Sequence, residues 1–300
     1  LTVTRSEKIL IVIALSTAAA GICGAQVGGE GAALDLLFIH HSCGGQLLAD
    51  QGPLAGGGRD SAERCIHESH PNGGGLRAQL EQAGYRVHEA SYGSVIGEDT
   101  DVCHWRDKFA TQMDRILRTE RQDSLLPEGR TNRIVCFKSC FPNNGFTARG
   151  EEPGDPDACE RTVANAKAAY RAVLPLLRER PDVLFVAFTA PPLAEPKPAG
   201  LGATIKSWFK GKDRSGELAR EFATWLADPQ RGWLAGYDLP NVVVFDHYDV
   251  LTRHGATDYA AFATHGGRDS HPSSDGNRQA AAAFVPFLAS AVSAMGWPTP

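Results

Sequence analysis

The chain has 300 residues, 42% of them hydrophobic, with a formal net charge of -5 and no low-complexity tract. That length and composition suit a single globular domain. The acidic balance, with Lys and Arg scattered along the chain, excludes a general binder of nucleic-acid backbone.

Arg5 and Lys8 precede an apolar run over 9–20, and small residues follow as far as Ala25. This is the pattern of a secretory signal peptide, so 1–25 is assigned to a leader, 26–300 to one domain, and the product to the secreted or periplasmic space. The apolar run is shorter than the about 20 residues of a membrane span, so no stable membrane insertion is expected after cleavage. Asp35-Leu-Leu-Phe-Ile39 then reads as a buried strand. It delivers Ser42, through His40-His41, to a turn marked by Gly44 and Gly45, at the carboxyl edge of a sheet where ligands of open α/β folds bind.

Residues 44–49 open a helix, and Gly and Pro clusters at 52–58 and 72–75 mark loops that shape a cleft. A short helix over 76–83, capped by Gly84, leads to a second strand over 85–90. The spacing of Phe109, Met113 and Ile116 predicts a helix over 105–117. The third strand, 134–137, runs into a loop carrying Asn143 and Asn144. A long amphipathic helix is expected over 159–180, with Pro175 predicting a kink or an early end. Residues 183–188 and 242–245 are apolar runs of buried parallel strands, separated by an excursion at 191–211 and a helix marked by Leu218, Phe222, Trp225 and Leu226. Asp269-Ser-His271-Pro is placed on a loop before a last helix over 277–292. The alternation of strand and helix specifies an α/β fold, a three-layer α/β/α sandwich with a mainly parallel five-stranded sheet.

The chemistry gathers at the two ends of the domain. A serine hydroxyl needs a base to take its proton as it attacks, which makes Ser42 the candidate nucleophile and His271 the candidate base. Asp269 is the nearest carboxylate able to hold the imidazole in one tautomer. The competing structural readings are that Ser42 caps the helix after the first strand and that Asp269 caps the last helix. His40 and His41 point to opposite faces of a strand, so one lines the cleft and the other packs in the core. Trp105, Trp225 and Trp233 read as core residues.

Six cysteines follow the leader, at 43, 65, 103, 136, 140 and 159. In an oxidising compartment an even number is expected to pair, and Cys140 with Cys159 and Cys65 with Cys103 are the expected bridges, with Cys136 a plain buried thiol. His67, His70, His104 and His265 lack the spacing of a zinc site, and no P-loop or dinucleotide fingerprint is present, so no metal and no cofactor is expected.

Taken together, these residues resemble the SGNH family of GDSL-type esterases and lipases, whose flavodoxin-like fold carries a nucleophile serine after the first strand. The resemblance implies an oxyanion glycine after the second strand, here Gly93 or Gly97. It also implies an oxyanion asparagine after the third, here Asn143 or Asn144, beside backbone N–H groups near Ser42 or Cys43. The Asp-x-His order of Asp269 and His271 is similar to that of the alginate acetyltransferase branch. The family's Gly-Asp-Ser-Leu is replaced here by His41-Ser42-Cys43-Gly44.

The expected function is an exported serine esterase acting on a small-molecule or polysaccharide ester, with a carbohydrate acetyl ester implied by the resemblance. The alternatives are a sugar O-acyltransferase using the same residues, a non-catalytic carbohydrate-binding or cell-surface protein, and a metal-dependent hydrolase.

Overall fold

Every residue of Asp35–Ile39 (β1) is buried, with Leu37 and Ile39 packed into one apolar core and Leu36 and Phe38 into another. Successive side chains of a strand point to opposite faces, so a strand apolar on both must lie between two helical layers. The computed structural model, which describes residues 33–55, 64–197 and 214–300, shows that arrangement. The leader assigned to 1–25 lies outside the described residues, as do parts of the 52–58 and 191–211 segments.

Arg86–Ala90 (β2), Thr119–Arg121 (β3), Ser124–Leu125 (β4), Ile134–Lys138 (β5), Leu184–Phe188 (β6) and Val242–Phe245 (β7) join β1 in one sheet, ordered β4-β3-β2-β1-β5-β6-β7. The five strands from β2 to β7 through β1 are parallel. The sheet has seven strands where five were expected: β3 adds to β2 through one parallel pair, and β4 returns antiparallel to β3. Their sequences, Thr-Glu-Arg and Ser-Leu, contain no apolar run that a periodicity argument could detect.

The helices are Ser42–Leu48 (α1), Leu76–Gln82 (α2), Trp105–Arg118 (α3), Val163–Arg178 (α4), Ser215–Ala227 (α5), His247–Leu251 (α6) and Ser274–Ala294 (α7). The apolar faces of α3, α4 and α5 pack on Leu37, Val135, Phe137 and Phe185, and those of α1, α2 and α7 pack on Leu36, Phe38, Cys136 and Val186. Burying a side chain of this size fully is worth about 1.5–3 kcal/mol. At the amino end of β1, buried Asp35 is tied to Arg86, His88 and Arg130. Burial opposes its ionisation, but these partners outweigh it and hold the carboxyl far below its ordinary range.

Several boundaries differ from expectation for identifiable reasons. α4 begins at Val163, because the Thr162 side chain accepts from the Asn165 N–H at 3.2 Å and caps it there; the helix ends one turn past Pro175. Ser273 caps α7 in the same way, accepting from the Gly276 N–H at 3.4 Å, so capping does not fall to Asp269. Asp269–Pro272 is a short strand, paired antiparallel with Ala263–Thr264, where a loop was expected.

The expected disulfides are corrected. Cys103 bonds Cys159, while Cys43, Cys65, Cys136 and Cys140 are free thiols. Sequence spacing carries no information on which loops the fold brings together, and here the three-residue turn before α3 meets the segment before α4.

Candidate active site

The parallel strands run in the order second-first-third-fourth-fifth, so crossovers leave β1 toward opposite faces and open a crevice between β1 and β5 at their carboxyl ends. Ser42 follows β1 and Cys140 follows β5 across that crevice. The Ser42 residue opens α1; His41, in extended conformation, occupies the capping position without a side-chain cap bond. The serine hydroxyl is therefore not used for capping.

It is used by His271. Ser42 Oγ lies 2.9 Å from His271 Nε2, and His271 Nδ1 lies 2.7 Å from Asp269 Oδ1. The same carboxylate oxygen accepts the His271 backbone N–H at 3.1 Å. Residues two apart on a strand point to one side, which is how the Asp-x-His spacing brings acid and base together without a helix or a long loop. Burial works against the charge on Asp269, but the backbone and ring hydrogen bonds from His271 overcome it and hold the carboxyl below its ordinary value. The Phe141 ring meets the His271 ring edge-on with centroids 5.0 Å apart, further fixing the imidazole plane.

The glycines after Ser42 are dictated by close approach. A Cβ on Gly44 would stand 2.3 Å from His40 Cβ, and one on Gly45 would stand 1.9 Å from the Cys65 carbonyl oxygen. His40 and His41 are both buried and both engaged. His40 Nε2 meets Glu89 at 3.2 Å, while His41 stacks on Tyr92 and directs Nε2 to the carbonyls of Gly97 and Glu98 at 2.8 Å. Neither ring is brought to Ser42 Oγ; their contacts fix the β1–α1 turn.

The residues named for the oxyanion are committed elsewhere. The Gly93 N–H donates to Glu98 Oε2 at 2.5 Å, with the glycine at φ +75°, and the Gly97 N–H donates to Ser94. Asn143 Nδ2 donates to Asp101 Oδ1 at 2.7 Å and to the Cys140 carbonyl at 3.3 Å. Asn144 Nδ2 donates to the carbonyls of Ala190 and Pro191 at 2.7 and 3.0 Å. Both amides brace the 141–144 turn, so the structure brings together Ser42, His271 and Asp269 but not Gly93 or Asn143. A cavity of about 260 Å³ lies past Asn143, lined also by Val102, Phe146 and Arg161; neither Ser42 nor His271 lines it, which makes it a neighbour of the site.

Three residues near Ser42 and His271 were not assigned to this site from the sequence. Cys140 Sγ lies 3.6 Å from Ser42 Oγ, Phe141 faces the base, and His70 sits close enough to His271 to feel its charge. Burial, then the neighbouring His67 and His271, pull the His70 imidazole down to about 4. Cys140 and Phe141 follow β5 on an irregular turn and His70 lies in a two-residue strand, Ser69–His70, too short for periodicity to mark. Among the described residues, one group has metal-ligand spacing, Cys103 with His104 and Cys159, and its two sulfurs are joined to each other.

No family model matches the chain, and no curated protein or solved structure shows a significant match to it. The geometry itself defines the class: an α/β protein with a hydrogen-bonded Ser-His-Asp chain at the carboxyl end of its parallel sheet.

Proposed function

We propose that the chain is an exported serine hydrolase of SGNH type that cleaves a carboxylic ester through an acyl-enzyme on Ser42. The observation that carries the reading is the continuous hydrogen-bonded chain from Ser42 Oγ through His271 to Asp269, at 2.9 and 2.7 Å. In this reading His271 Nε2 takes the hydroxyl proton as Ser42 Oγ attacks the ester carbonyl, and then returns it to the departing alcohol. Asp269 keeps the ring proton on Nδ1 and stabilises the imidazolium. The Ser42 backbone N–H, in the first turn of α1, is the donor for the oxyanion, since the Gly93 and Asn143 donors are occupied and the Cys43 N–H is turned to the Cys140 sulfur. Water then attacks the acyl-enzyme with His271 as base. A carbohydrate ester is the proposed substrate, and transfer to a sugar in place of water is the variant that uses the same residues.

The test is p-nitrophenyl acetate hydrolysis by the parent and Ser42→Ala proteins, with and without a chelator, alongside labelling by a fluorophosphonate. The expected result is release of p-nitrophenolate that the alanine abolishes and the chelator leaves intact, with the label on Ser42. Equal rates for parent and Ser42→Ala would remove Ser42 as nucleophile.

A further inference from the structure

Ser42 is flanked by a pair of sulfurs that the hydrolase reading does not use. Cys43 follows it in the first turn of α1, and Cys140 faces it from the carboxyl end of β5. The two sulfurs lie 3.4 Å apart and Cys140 Sγ lies 3.6 Å from Ser42 Oγ. Both thiols are buried, Cys43 completely, while Cys140 keeps a small exposed area. We propose that Cys43 and Cys140 form a reversible disulfide beside the nucleophile, a peroxide-sensitive modification site whose closure disables Ser42. The disulfide stands on the sulfur geometry alone; its effect on Ser42 rests on the hydrolase reading.

The two thiols divide the chemistry between them. The hydrogen bond with Cys43 holds the Cys140 thiol well below its ordinary value, and the Lys138 ammonium adds to the effect. Lys138 is completely buried two residues before Cys140, and a buried ammonium favours a negative charge beside it. Burial pushes the Cys43 thiol up, and Cys43 has no exposed surface where Cys140 keeps a little for peroxide to reach. Cys140 is thus the attacking thiolate and Cys43 the resolving thiol. The Cys140 thiolate attacks one oxygen of hydrogen peroxide; the O–O bond breaks, hydroxide leaves, and Cys140 becomes a sulfenic acid. The Cys43 sulfur then attacks the sulfenic sulfur, the S–S bond forms, the S–O bond breaks, and water leaves with the Cys43 proton. Two electrons pass from the sulfurs to the peroxide, and a dithiol reverses the step by exchange.

Closure carries a structural consequence. An S–S bond is about 2.05 Å long, so the sulfurs must approach by roughly 1.3 Å from their 3.4 Å separation. That movement falls on the Ser42-Cys43 turn and on the Cys140-Phe141 segment, which hold the Ser42–His271 hydrogen bond and the ring contact on His271. A displacement of about 1 Å at reacting groups can cost about 100-fold in rate.

The experiment treats the full chain with hydrogen peroxide, blocks remaining thiols, and maps unreduced peptides by mass spectrometry while following fluorophosphonate labelling of Ser42. The expected result is a peptide linking Cys43 to Cys140 and labelling slowed about 100-fold, both reversed by dithiothreitol. Cys43→Ala, which keeps the Cys103–Cys159 bridge, serves as the control: peroxide takes its Cys140 to the sulfinic acid and dithiothreitol restores nothing. Oxidation of Cys140 without the linked peptide, or linkage to Cys65 instead, would each overturn the disulfide. A linked peptide with unchanged labelling would overturn the switch. A Ser42 that takes no label in either state refutes the hydrolase reading, and the linked peptide then decides the disulfide by itself.

Discussion

Asp269→Asn isolates the contribution of the acid. Asp269 Oδ1 accepts two hydrogen bonds at once, from the His271 backbone N–H and from its ring. An asparagine has one acceptor end and one donor end. If its oxygen stays on the backbone N–H, the ring loses its counter-charge; if its NH₂ turns to the ring, the imidazole carries its proton on Nε2 and cannot accept from Ser42. The wrong tautomer costs about 10⁴-fold in the Ser-His-Asp template. Here the Asp269 and His271 side chains are 35% and 23% exposed, so water substitutes in part for the lost oxygen. The expected fall in kcat is therefore about 10²–10⁴-fold, or roughly 2.7–5.5 kcal/mol, with KM little changed because Asp269 does not face the ester. Because the Asp269 carboxyl is lowered from its ordinary value of about 3.9, its contribution to stability is complete above that pH and is lost as the pH falls through the folded value. Ester hydrolysis near pH 7 thus reads the ionised acid. A folded Asp269→Asn protein retaining kcat within about fivefold of the parent would refute the role of Asp269, since a real tautomer defect exceeds that by more than tenfold.

Two further outcomes follow from the surroundings of the site. His247 is completely buried against Phe188 and Phe245, and burial, reinforced by the Lys138 charge, pulls its imidazole down to about 3. The unfolded chain then binds one more proton than the folded chain between about 6.5 and 3, so stability is complete above that window and falls through it on acidification; His247→Phe should remove up to about 1.4 kcal/mol per pH unit of that slope in denaturant titrations, and identical slopes would count against the assignment. Gly45→Ala puts a methyl 1.9 Å from a backbone oxygen, which cannot rotate away. It should lower stability by about 1–3 kcal/mol and slow Ser42 labelling in the folded fraction, whereas a parental unfolding midpoint would show that the β1–α1 turn yields freely.

The sequence by itself determined the central elements and the three members of the hydrogen-bonded chain Ser42, His271 and Asp269. Runs apolar at every position, such as Leu36–Ile39 and Leu184–Phe188, read as strands buried on both faces, and they alternate with helical periodicity in the order that a parallel sheet requires. A serine where the first run stops, and an acid and base before the last helix, follow from the same reading because each sits next to an element the pattern locates. Tertiary structure decided what depends on segments far apart meeting. The edge strands at Thr119–Leu125 have too few apolar residues to show a period and exist because β2 leaves an edge to pair with. Gly93 and Asn143 occupy the expected places in the chain, yet their donors are taken by Glu98 and Asp101. The cysteines reveal the limit most clearly: Cys103 reaches Cys159 and Cys43 faces Cys140 because two crossovers return to one sheet end. Local residue patterns follow from backbone periodicity and solvent exclusion, whereas pairings across the crevice depend on crossover paths that leave no trace in neighbouring residues.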